Sequence, residues 1–117
     1  MALVNQSTGQ MMARRITRCD TLLKRARGLM FRPTLPDDEA YLFVEARESI
    51  AMTTIHMLFV FFPIGVFWLD NDQRVVHKTL ARPFRLFYAP SQPARYFVEC
   101  SPAVLDKAQV GDRLSFE

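Results

Sequence analysis

Cysteine, glycine and short catalytic motifs are all scarce in this 117-residue chain, and each scarcity excludes something. The two cysteines, Cys19 and Cys100, are far apart and form no CxxC pair, so neither a secreted disulfide framework nor a redox motif is expected. With His56 and His77 they supply a Cys2His2 count for zinc but no local ligand pair, and no metal or cofactor is expected. The four glycines build no Gly/Ser linker, and no repeat or low-complexity tract appears, so one domain over 1–117 is expected. Residues 1–10 are expected to be a loose tail or an edge strand. There is no phosphate loop, GxSxG elbow, HExxH or dinucleotide fingerprint. The most apolar stretch, 55–69, is interrupted by His56, Pro63 and Gly65 and falls short of the roughly 18–20 apolar residues a membrane-spanning helix needs. The first residues lack the order of a signal peptide, and a cytoplasmic location is expected.

Apolar material is plentiful. Half the residues are hydrophobic and 12% aromatic, with ten Phe, enough to bury a core without crosslinks. Net charge is +3 but polarised: residues 1–36 carry seven Lys/Arg against Asp20, and the remainder eight against eleven acids. A solvated surface accounts for this asymmetry as readily as steering of an anionic partner does.

Periodicity predicts a helix from residue 20 or 21, in which Leu22, Ala26, Leu29 and Met30 share a face and Gly28 ends the helix or allows a close contact. Strands are predicted at 41–46, 66–69, 74–80, 94–100 and 113–116, and less clearly at 11–18 and 51–57. Residues 70–73 (Asp-Asn-Asp-Gln) read as the turn between two of them. In 94–100, Ala94, Tyr96, Val98 and Cys100 share the predicted core side, leaving Arg95, Phe97 and Glu99 opposite. Ser101 followed by Pro102 predicts a capped short helix over 102–109. The expected fold class is α+β: a small, mostly antiparallel, curved or barrel-like sheet of five to seven strands with two short helices.

Four separated segments carry a family resemblance: Ala26-Arg27-Gly28-Leu29-Met30-Phe31-Arg32 followed by Leu35-Pro36; Ile55-His56 leading to Phe62-Pro63-Ile64, Leu69-Asp70 and Arg74-Val75-Val76; Tyr96 to Glu99; and Gly111-Asp112. In this order they resemble the family known as domain of unknown function 192. The resemblance implies a compact, mostly β domain with no accepted reaction, cofactor or partner. Relatives commonly carry Arg before the Phe-Pro-Ile and Asp after it, where this chain has Phe61 and Gly65. Arg27, Arg32 and Glu99 recur at matching positions in the family, which implies either a structural ion pair or an anion-recognition site.

His56, in an apolar stretch, is the best single site candidate, as acid or base or as a structural residue bracing the bend. Most of the aromatic series is read as core. Phe61, Phe84, Phe87 and Tyr88, flanked by Arg82 and Arg85, are read as lining an apolar pocket or a self-association patch. The leading expectation is a non-enzymatic domain binding a small molecule or a protein, or pairing with a second copy of itself. The alternative is an enzyme using His56 with Arg27 or Arg32 on an anionic substrate. Nucleic acid is not the expected partner, because no binding motif accompanies the basic residues between Arg14 and Arg32.

Overall fold

The computed structural model describes residues 1–19, 35–57 and 60–117. The helix expected from residue 20 and the side chains of Arg27, Arg32 and Phe59 lie outside these residues.

Among the described residues eight strands form two sheets: β1 (Leu3–Asn5), β2 (Met11–Ala13), β3 (Arg15–Arg18), β4 (Glu39–Ser49), β5 (Ile64–Leu69), β6 (Val75–Ala81), β7 (Ala94–Cys100) and β8 (Leu114–Phe116). The smaller sheet has the order β2-β1-β8 and the larger β3-β4-β7-β5-β6. All pairings are antiparallel except β3 with β4. Residues 3–5 are therefore the middle of the smaller sheet rather than a loose tail or an edge. The expected β-rich α+β character holds, but the sheets are open and do not close into a barrel. The edge strands, β2 and β8 of the smaller sheet and β3 and β6 of the larger, are joined by no ladder among the described residues that would close one.

The weak 11–18 prediction resolves into two strands that belong to different sheets, the chain crossing between them at Arg14. The turn at 70–73 forms as expected: the Asp70 carboxylate accepts from the amides of Asp72 and Arg74, at 2.9 and 3.0 Å, while Gln73 adopts φ 63°. The strand expected at 51–57 does not form. Residues Ala51–Thr53 make one 3-10 turn, because Ser49 accepts from the Met52 amide and the hydroxyls of Thr53 and Thr54 donate to the carbonyls of Ser49 and Ile50. Such local bonds compete with a strand ladder. The segment 102–107 is capped by Ser101 as predicted, yet it is 3-10 rather than α-helical. It is too short to sustain an α-helix, and the Lys78 ammonium captures the carbonyls of Leu105 and Ala108 at 2.7 and 3.0 Å.

The middle of the larger sheet is buried on both faces. Gly65, Phe67 and Leu69 of β5, with Val98 and Cys100 of β7, face the smaller sheet's Leu3, Met12 and Leu114. On the other face, Ile64, Val66 and Trp68 pack with Phe43 and Phe97 under Ile55, Met57 and Val60. Phe43 and Phe97 stack at 4.5 Å, and the Trp68 indole donates to the Thr53 carbonyl at 2.7 Å. The supposedly outward side of β7 is thus a second core side: Phe97 and Glu99 are as buried as the first.

Gly65 allows a close approach between layers. A Cβ there would lie 2.8 Å from Leu105 Cγ and 3.2 Å from the Ser101 carbonyl, the latter backbone that cannot swing aside. Gly65→Ala is therefore expected to destabilise the fold by about 1–3 kcal/mol, read as a lower urea midpoint at unchanged m-value. An unchanged midpoint would mean that the 102–107 segment is not held tightly against β5.

Candidate binding surface around His56

Two irregular segments close one end of the larger sheet. The segment after the Ala51–Thr53 turn runs beside the loop that leaves β6, and backbone hydrogen bonds join them: Ile55 and Tyr88 exchange two at 2.9 Å, Met57 donates to Arg85, and Phe84 donates to Met57. Ile55 and Met57 point into the second core, which leaves the intervening His56 exposed on the outer side. The imidazole has no hydrogen-bond partner among the described residues, so nothing there orients it as an acid or base.

Outside this ladder the rings are open. Phe61 is 54% exposed, Phe84 50% and Phe87 69%, with Leu86 at 58%. Phe61 and Phe84 meet edge to face at 5.4 Å. Tyr88 is half-buried; its hydroxyl accepts from the Arg82 amide at 2.8 Å, and the Arg85 guanidinium lies 4.8 Å over its ring. Phe84 holds φ 63°, left-handed backbone that costs a bulky residue roughly 1–2 kcal/mol. The core accounts for Phe67 and Trp68, but not for Phe61, Phe84 or Phe87. The exposed Leu86 and the strained backbone of Phe84 escape sequence reasoning; only the mostly apolar segment 84–88, interrupted by Arg85 and without strand alternation, hints at them.

The structure joins His56, Phe61, Phe84 and Tyr88 in one region and leaves Glu99 apart. Glu99 lies at the same end of the sheet, opposite Tyr41 and Val66, but is 7% exposed on the face of the second core. No hydrogen bond or ion pair reaches its carboxyl from the described residues. Pairing with Arg27 or Arg32 falls outside them. Burial pushes the Glu99 carboxyl up to about 7, and burial together with the Glu99 charge raises the neighbouring Cys100 thiol.

Other sequence candidates separate from this surface. Arg14 and Arg15 are engaged by Asp38 and Glu39, Arg15 to Glu39 at 3.0 Å, which offsets the basic character of that stretch. An open cleft of about 380 Å³ adjoins them, lined by Met11, Met12, Arg14, Asp37, Asp38 and Lys107, with charges of both signs. Among the described residues no group of His, Cys, Asp and Glu could hold a metal ion, and no helix is long and apolar enough to cross a membrane.

The raised Glu99 pKa fixes the sign of a pH effect. The fold favours the neutral carboxyl, so stability is fully present below the ordinary carboxylate range and falls as pH rises towards about 7, where the native state also ionises. Glu99→Gln should remove this slope: equal to the parent near about pH 4, the variant should be roughly 3 kcal/mol more stable near about pH 8 in urea titrations. Parallel profiles for the two proteins would refute the assignment.

The model of the DUF192 family, described as "Uncharacterized ACR", matches residues 3–116. A UPF0127 protein of Thermococcus sibiricus is 36% identical over 98% of this chain and 74% of its own length. One from Pyrococcus furiosus is 32% identical over 97% of both chains. Two solved structures share the fold. A Sinorhizobium meliloti protein described as a "putative transcription regulator" has a TM-score of 0.82 at 19% identity, over 97% of this chain and 89% of that one. A Novosphingobium aromaticivorans protein of unknown function has 0.78 at 21%, over 98% and 82%. A fold of two open sheets with the expected segments in order and a family match over nearly the whole length together mean that this chain belongs to the DUF192 (UPF0127) family, whose function is unknown.

Proposed function

We propose that the chain is a non-enzymatic binding domain whose contact surface is the aromatic region formed by Phe61 and the 82–88 loop beside His56. The observation that carries this reading is the state of residues 84–87. All four are exposed in succession, three of them large and apolar, while backbone bonds to 55–57 hold the loop in place. Exposing these side chains forgoes roughly 1.5–3 kcal/mol each, and the left-handed Phe84 adds strain. A loop this costly that is nonetheless pinned in a fixed conformation suits a partner that covers it. Rings half open to water on a projecting loop favour a broad partner over a small molecule enclosed in a pocket.

The catalytic alternative gains no support from the described contacts, since His56 has no orienting carboxylate. A nucleic-acid role by analogy with the Sinorhizobium meliloti protein rests on likeness of fold alone, and here Arg14 and Arg15 are already paired with acids.

The native protein should enhance the fluorescence of anilinonaphthalene sulfonate, an anionic apolar probe. Phe61→Ser with Phe84→Gly should abolish most of that signal while stability stays within about 1 kcal/mol, because glycine relieves the strain as the ring contact is lost. Undiminished probe binding in the stable double variant would reject this surface.

A further inference from the structure

The geometry points to an anionic lipid surface as the partner of this region, a proposal that rests on the binding reading above. Phe84, Leu86 and Phe87 would enter the interfacial layer while Arg82 and Arg85 meet lipid phosphates.

Three features of the surface favour this occupant. First, the segments that form it carry charge of one sign. Residues 50–63 contain no Asp or Glu, and residues 82–93 contain Arg82 and Arg85 and again no acid, although the chain beyond residue 36 carries more acids than bases. Two acid-free segments that expose apolar side chains and two guanidinium groups are complementary to a layer that is anionic outside and apolar beneath. Second, the exposed residues are consecutive. All four of residues 84–87 are exposed, and a continuous exposed run suits entry into a deformable layer more than contact between two flat faces. Third, a second copy is disfavoured. In a two-fold contact through this tip the Arg82 and Arg85 pairs of both copies would share one interface with no acid from the same segments, and like charges brought together there oppose it.

Three apolar side chains and two cations make a reversible, salt-sensitive attachment rather than a permanent anchor. The test is co-flotation of the full chain with vesicles of phosphatidylglycerol mixed into phosphatidylcholine, beside pure phosphatidylcholine vesicles, at low and high salt. The protein should float with the anionic vesicles only, and less at high salt. Leu86→Ser with Phe87→Ser should weaken partitioning at least about tenfold. Arg82→Gln with Arg85→Gln should weaken it about fivefold per charge. These positions are exposed, so unchanged melting temperatures should accompany both losses.

Absence of flotation with anionic vesicles at low salt overturns the proposal, as does flotation that neither pair of substitutions weakens. So does a dimer in sedimentation that Leu86→Ser with Phe87→Ser dissolves, which would make a second copy the occupant. Probe binding that persists where flotation fails would leave the binding surface standing with another partner, whereas loss of both would remove the two readings together.

Discussion

The rest of the structure depends on the burial of β5 on both faces. All six of its residues, Ile64–Leu69, are inaccessible, and they alternate between two cores. A strand buried on both faces needs a cover on each side, and the chain supplies two unlike ones. Over one face lies the three-stranded sheet with the 3-10 segment Pro102–Lys107, regular and closely fitted, as the Leu105 contact at Gly65 illustrates. Over the other, the described cover includes irregular chain around Ile55, Met57 and Val60, tied down by the Trp68 indole at Thr53 and by the short ladder to Tyr88. Irregular chain buries alternate residues and turns the others outward. This is how His56 comes to the surface between two buried neighbours.

The regular cover is held by polar groups at the chain ends. Asn5 is completely buried, and all its amide groups are used: the nitrogen donates to the Lys107 carbonyl and the Asp112 carboxylate, and the oxygen accepts from the amides of Ser7 and Thr8. The Asp112 carboxylate also accepts from the Gln109 amide, and these bonds hold its pKa below the usual range. One asparagine therefore binds the first strand to the end of the 3-10 segment and to the turn before the last strand. A buried amide left with any of these bonds unmade would cost as much as a lost core contact.

What was legible in the sequence divides along the same line. β7 could be read from its alternation, and most of β5 and β6 from the apolar runs on either side of the Asp70–Gln73 turn. The strand expected at 51–57 was misread because hydroxyl-to-carbonyl bonds from Thr53 and Thr54 outcompete an apolar pattern. The second buried face of β7 was missed because Arg95 and Glu99 mark it as polar; only the tertiary cover makes Glu99 a buried acid. Of the site, the residue types around His56 and Phe84 were legible. The left-handed backbone at Phe84 and the outward run 84–87 were not, since they follow from contacts between segments distant in sequence.

Phe61 and Gly65, where this chain departs from the pattern it resembles, have separate consequences. Gly65 faces the first core, and its missing side chain is what lets Leu105 approach β5; a carboxylate in that space would meet Leu105 and the Ser101 carbonyl instead of water. Phe61 lies on the outer surface and provides the edge-to-face partner of Phe84. An arginine there would leave the strained Phe84 without that ring. The first departure thus belongs to packing between the layers and the second to the exposed aromatic surface. The surface proposed for binding therefore depends on Phe61, a position where the resemblance implies Arg, and a shared fold alone does not extend that surface to the relatives.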